Sequence, residues 1–200
     1  MYFETNHVYH IYNQGNNRQK IFFSRNNYLF FIEKIRTHII PFADILAWCL
    51  MPNHFHLMVH VNKIERTEDS GSATSSRAPT LVKESFNKSI GIMLASYTRA
   101  INKQEKLTGS LFRDKTKAEC LTNNSTITLT FLNTNQGALI KIPNPEKEYP
   151  QVCFNYIHNN PVKAKLVSNL ADWEFSSYNE FSGNEILINK NRVIEFGLVV

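Results

Sequence analysis

Cysteine is scarce in this 200-residue chain: Cys49, Cys120 and Cys153 are an odd three, with no CxxC spacing. That argues against a disulfide framework and for reduced thiols, and so for a cytoplasmic address. No run approaches the ~20 apolar residues that span a bilayer. The opening residues, Met1 to Asn6, lack the basic stretch and apolar run of a secretion signal. Internal repeats are missing as well. The expectation is a soluble, intracellular chain with no membrane partner. What is present is ample for a core: 42% of residues are hydrophobic and 12% aromatic, enough for one domain or one domain with long insertions. The formal charge of +5 and the pI near 9.1 fit a nucleic-acid partner without establishing one.

One stretch organises the rest. From Asn53 onward, Asn53-His54-Phe55-His56-Leu57-Met58-Val59-His60-Val61 alternates strictly. Successive strand residues point to opposite faces, so Phe55, Leu57, Val59 and Val61 form an apolar face. His54, His56, Met58 and His60 form the other. Residues two apart on a strand have Cα atoms about 7 Å apart, close enough for two imidazoles to share one cation. A lone histidine is better explained as an ordinary polar or satisfied side chain. A pair on one face makes a metal site an equal contender. His60 lies nearly a strand length from His54 and stays an ordinary histidine.

The remaining elements follow from periodicity and punctuation. His7 to Tyr12 is β-branched and aromatic, a first strand. It ends in Asn13-Gln14-Gly15-Asn16-Asn17, a turn cluster followed by Arg18 and Lys20. Ser24 caps a helix over residues 25–38 whose core stripe is Leu29, Phe31, Ile32, Ile35 and Ile39. Ile45 to Leu50 has no polar residue and reads as a strand buried on both faces. Residues 62–80 read as a loop, flexible over 68–76. A long helix is expected over 81–106, with Lys83, Lys88, Arg99 and Lys103 off its apolar stripe. A fourth strand is expected over 111–121, with Arg113, Lys115 and Lys117 on one face. Residues 122–148 read as a second loop, with a possible short strand over 127–132. A helix follows Tyr149-Pro150, Pro161 interrupts it, and a second helical piece begins there. Trp173 to Tyr178 is an aromatic patch that packs on the body. Residues 1–182 thus form one domain, and 183–200 a tail whose placement the pattern does not give. Strand, helix, strand, strand, helix, strand is the ferredoxin-like α+β order: an antiparallel four-stranded sheet, two helices on one face, and an open face bearing the histidines.

Met51-Pro52-Asn53-His54-Phe55-His56-Leu57 resembles the histidine-hydrophobe-histidine motif of single-tyrosine, single-strand DNA transposases, and most closely that of the REP-associated tyrosine transposases. Four more stretches carry the likeness: Tyr12 to Phe22, Gly109 to Arg113, Asn155 to Ala164, and Trp173 to Tyr178. It covers residues 7–180 apart from the two loops. The resemblance implies a C-terminal helix with Tyr156 as nucleophile. An ordinary phenol ionises near pH 10, so it needs a base or an electrophilic substrate. A divalent ion on His54 and His56, Mg²⁺ or Mn²⁺ by the resemblance, would polarise the scissile phosphate. On softness alone, imidazole donors suit Mn²⁺ or Zn²⁺. The product would be a 5′-phosphotyrosine and a free 3′-hydroxyl.

A third ligand is implied one turn beyond the tyrosine, at Asn160. Pro161 disfavours a helical Asn160, so a cap on the Pro161 segment is an equal reading. His158 should face elsewhere. DNA contacts fall to Asn16, Asn17, Arg18, Lys20, Arg99, Lys103, Arg113, Lys115 and Lys117, which together would neutralise phosphates. Relatives on the transposition side exchange tyrosine helices in a homodimer, while palindrome-associated ones act as monomers; either state is open. The expected activity is a hairpin-directed, single-strand DNA endonuclease and strand transferase. The alternative is a catalytically lapsed nucleic-acid-binding module. An RNA-recognition sheet would carry stacked aromatics where this one carries His54 and His56, and a structural zinc site lacks its cysteines.

Overall fold

A computed structural model describes residues 1–69, 81–122, 132–133, 139–140, 145–183 and 186–200. Four strands form the main sheet: β1 (Val8–Gln14), β2 (Ala43–Met51), β3 (His54–Val61) and β6 (Lys117–Cys120). Their order is β2-β3-β1-β6 and every pairing is antiparallel. Helices α1 (Arg25–His38) and α2 (Phe86–Glu105) pack on one face. This is the expected α+β arrangement. Between β3 and α2 stands a hairpin of β4 (Glu65–Asp69) and β5 (Leu81–Ser85), and a shorter pair, β7 (Leu132–Asn133) and β8 (Leu139–Ile140), precedes α3 (Pro145–Lys163). The expected flexible loop and the strand over 127–132 fall mostly outside the described residues.

The alternation in β3 holds. Phe55, Leu57, Val59 and Val61 enter the core beneath α1 and α2, while Met58 joins a second cluster on the opposite face. The expectation of an open histidine face is corrected here. Cys153, Phe154 and Ile157 of α3, with Val193 of α4 (Lys190–Glu195), bury Val8, Ala47, Cys49, Met51 and Met58 on that side. Burying such side chains stabilises each by roughly 1.5–3 kcal/mol. That gain explains why α3 runs through both Pro150 and Pro161 instead of stopping. Each interior proline removes one hydrogen bond and crowds the carbonyl four residues back, at about 3 kcal/mol, and the helix keeps a whole apolar face against that cost.

Other boundaries moved for local reasons. Residues 81–85 are strand β5, and Ser85 caps α2 by accepting from the Lys88 amide. Leu29 is exposed and leaves the α1 stripe to Phe31, Ile32, Ile35 and Ile39. At the start of α1, Asn27 Oδ1 accepts from the amides of Phe23 and Ser24 and fixes the entry into the helix. The fourth strand is short, so Arg113 and Lys115 lie in the segment before it.

The aromatic patch and the tail close the outer edge of β2. Leu50 N donates to Phe175 O at 2.9 Å, Trp173 Nε1 to Leu50 O at 3.0 Å, and Asn189 N to Ile45 O at 2.9 Å. An uncovered edge would offer its backbone to another chain. Asp44 anchors α4 by accepting from Asn62, Asn189 and Arg192. Burial pushes its carboxyl up, but those three hydrogen bonds and the Arg192 charge outweigh it and hold the group below the ordinary carboxylate range. A depressed folded-state pKa contributes stability that is present above the unfolded value near 3.8 and is lost as pH falls through the folded value. Asp44→Asn should therefore cost about 1 kcal/mol at pH 7. In urea titrations the gap to the parent chain should close below about pH 4. A gap that widened on acidification would contradict this role.

Candidate functional site

β3 sits inside the sheet, hydrogen-bonded to β2 on one side and β1 on the other, so its histidines rest on a backbone held at both edges. The two-residue turn at Pro52 and Asn53 starts the strand at His54. There, Asn53 Oδ1 meets His54 Nδ1 at 2.6 Å. His54 and His56 rings stand nearly perpendicular with centroids 5.0 Å apart. His56 is only 5% exposed. Its Nδ1 faces His10 Nε2 at 2.8 Å, and its Nε2 is buried without any hydrogen-bond partner.

Helix α3 lays Tyr156 and Asn160 over this pair. The Tyr156 ring meets His56 edge to face at 5.4 Å and His10 at 6.2 Å, yet remains 40% exposed. Asn160 lies inside the helix, because its carbonyl accepts from Ala164 N and its Nδ2 reaches Tyr156 O at 3.2 Å. It is therefore not the cap of a second segment. His158 points away, as expected, to Ser177 Oγ at 2.8 Å.

Burial dominates the electrostatics. It pushes His10 down to about 4 and His56 well below the ordinary imidazole value, with His10 and His54 adding to the second shift. His54 is lowered by burial against the opposing pull of the Asn160 side chain. Neutral rings present lone pairs, which is the form a cation requires. Tyr12, paired across from His56, is pushed up by burial and then by its 2.6 Å hydrogen bond to Glu119, so its phenol stays protonated.

The donor set fits a divalent ion in one specific respect: a buried imidazole nitrogen lacks a partner beside a second imidazole and an amide. Among the described residues no group of three or more His, Cys, Asp or Glu side chains is placed for a metal. A third protein donor would have to be Asn160. Such a sparse set leaves coordination positions for water and phosphate oxygen, the usual habit of Mg²⁺ and Mn²⁺ at phosphates.

The basic candidates divide. Asn16, Asn17, Arg18 and Lys20 are exposed on a loop tied to the 110–113 segment: Asn16 N donates to Leu111 O at 2.9 Å, and Arg113 N to Gln14 O at 2.9 Å. Gln14 pairs with His54, so this ledge lies at the histidine end of the sheet. Gly15 makes the turn possible, since a Cβ there would come within 2.1 Å of Gln19 O. Lys115, just before β6, and Lys117, its first residue, are both exposed. Arg99 and Lys103 sit on exposed positions of α2, in the layer across the sheet from the histidines, and the structure does not bring them to the site.

Two neighbours escaped the sequence reading. His10 shares a face with Tyr12 by alternation, but its meeting with His56 depends on the β1–β3 register. Lys163 holds its Nζ 5.4 Å from the Tyr156 ring centroid, a contact legible only once the helix is known to continue past Pro161.

No family model and no curated protein sequence matches the chain. Among solved structures it resembles the REP-associated tyrosine transposase bound to a REP hairpin, with a TM-score of 0.53 and 16% identity over 94% of this chain and 88% of that one. At this identity the likeness establishes a shared fold. Among the described residues no helix is long and apolar enough to cross a membrane.

Proposed function

We propose that the chain is a metal-dependent endonuclease and strand transferase for single-stranded, hairpin-bearing DNA, acting in the cytoplasm through a 5′-phosphotyrosine at Tyr156. One juxtaposition carries the reading: the unpartnered, buried Nε2 of His56 beneath a half-exposed tyrosine whose ring touches the same imidazole. The neighbour of shared fold was solved on a REP hairpin, which supports hairpin DNA as the partner.

The Tyr156 oxygen attacks the scissile phosphorus as its phenol gives up its proton to water, the P–O3′ bond breaks, and the 3′ oxygen takes a proton back from water and leaves as a hydroxyl. The tyrosyl ester conserves one phosphodiester-like bond, so a later 3′-hydroxyl can displace the phenol and join strands. A divalent ion held by His54, His56 and Asn160 would supply Lewis-acid polarisation of that phosphate. The chain's own groups do the rest. α3 fixes the ring over the histidines, Lys163 adds positive charge beside the phenol, and the ledge of Arg18, Lys20 and Arg113 holds the flanking backbone.

The test is incubation with a labelled, hairpin-bearing single-stranded oligonucleotide from the gene's own flank, with Mn²⁺, read as a covalent adduct on a denaturing gel. His54→Ala and chelation should each abolish the adduct while hairpin affinity persists. Loss of hairpin binding in His54→Ala would make the pair structural. Tight hairpin binding with no adduct in the parent chain would favour the lapsed binding module.

A further inference from the structure

We propose that His10 is the positioning residue of this centre: it accepts the Nδ1 proton of His56 and so leaves His56 Nε2 bare for a divalent cation. The inference rests on the reading of His54, His56 and Asn160 as a metal centre.

His10 Nε2 and His56 Nδ1 lie 2.8 Å apart, in rings that meet nitrogen to nitrogen with centroids at 5.0 Å and 24° between planes. Two neutral imidazoles meeting nitrogen to nitrogen share one proton, and it can belong to either. If His10 donates, the remaining proton of His56 must sit on Nε2. That atom is buried and finds no acceptor, and an N–H there would also turn its positive end toward any cation. If His56 donates, Nε2 carries a lone pair, the form that binds metal. The second nitrogen of a ligating histidine usually fixes tautomer and ring orientation in this way through a hydrogen bond.

His10 is well built for the task. β1 is paired on both sides, with His10 opposite Met58 on β3 and opposite Glu119 on β6. The ring is itself buried, and its Nε2 is taken up by His56. His10 is thus not a ligand. It acts through His56.

The full chain and two variants test this. His10→Gln keeps a hydrogen-bond acceptor, whereas His10→Leu fills similar volume without one. Nitrogen NMR of the metal-free parent chain should find the His56 proton on Nδ1. Titration calorimetry with Mn²⁺ alone should show His10→Leu weakened about 10–100-fold, with most of that affinity recovered in His10→Gln. A His56 proton on Nε2 in the parent chain overturns the proposal, and decides it even if neither variant folds. Equal Mn²⁺ affinity in His10→Leu and the parent chain overturns it as well, as do equal losses in both variants with parent-like thermal unfolding. A parent chain that binds no Mn²⁺ overturns the metal centre itself, an outcome distinct from Mn²⁺ binding that ignores His10.

Discussion

Tyr156→Phe should eliminate the covalent DNA adduct and lower cleavage by more than about 10⁴-fold, the scale seen when a nucleophile is removed. The ring survives the change, so its edge contacts with His56 and His10 and its cation contact with Lys163 persist. Only the attacking oxygen is lost. Hairpin affinity and thermal unfolding should therefore match the parent chain, which separates a chemical role from a packing one. The exposure of Tyr156 agrees with this: a ring kept for the core has no reason to be 40% exposed on a helix whose neighbours Phe154 and Ile157 are buried. An adduct that survives the substitution would remove Tyr156 from the mechanism, and Tyr12, protonated and bound to Glu119, would be the next residue to test.

Glu180→Ala should destabilise the protein by about 3–5 kcal/mol, a large part of the roughly 5–15 kcal/mol that holds a domain folded. Glu180 is 1% exposed and accepts four hydrogen bonds. Trp48 Nε1 donates at 2.5 Å, and the amides of Ile186, Leu187 and Ile188 donate at 2.5, 2.9 and 3.1 Å. Removing the carboxylate leaves these donors without partners and opens a hole beside the fully buried Trp48. Glu180→Gln keeps one oxygen but sets an amide N–H against a donor, so its cost should be intermediate. Urea unfolding midpoints measure both. The damage should extend to the site, because Ser177 bonds both Trp48 on β2 and His158 on α3, two residues from the candidate nucleophile. An Ala variant with the parent midpoint would show that solvent replaces the carboxylate.

The strand at His54–Val61 was legible because alternation is a local property, written residue by residue. The same holds for the bounds of α1, where Ser24 and the apolar spacing mark the start and the stripe. The order of elements then limited the sheet to one familiar antiparallel arrangement. A resemblance in five ordered motifs pointed to Tyr156 a hundred residues away, which no periodicity could have selected from eight tyrosines.

Tertiary packing decided the remainder. The histidine face is covered because α3 gains more from burying Cys153, Phe154 and Ile157 than it loses at two prolines. The same continuity takes Asn160 out of a capping role and brings Lys163 over Tyr156. His10 joined the site through strand register, and the last residues found their place along β2 through backbone hydrogen bonds and the Asp44 and Glu180 carboxylates. Alternation and caps are encoded within a few residues, so the chain's own order could supply a pair of histidines on one face. Which groups meet them depends on contacts between segments far apart in sequence, and those are settled by the burial of whole faces.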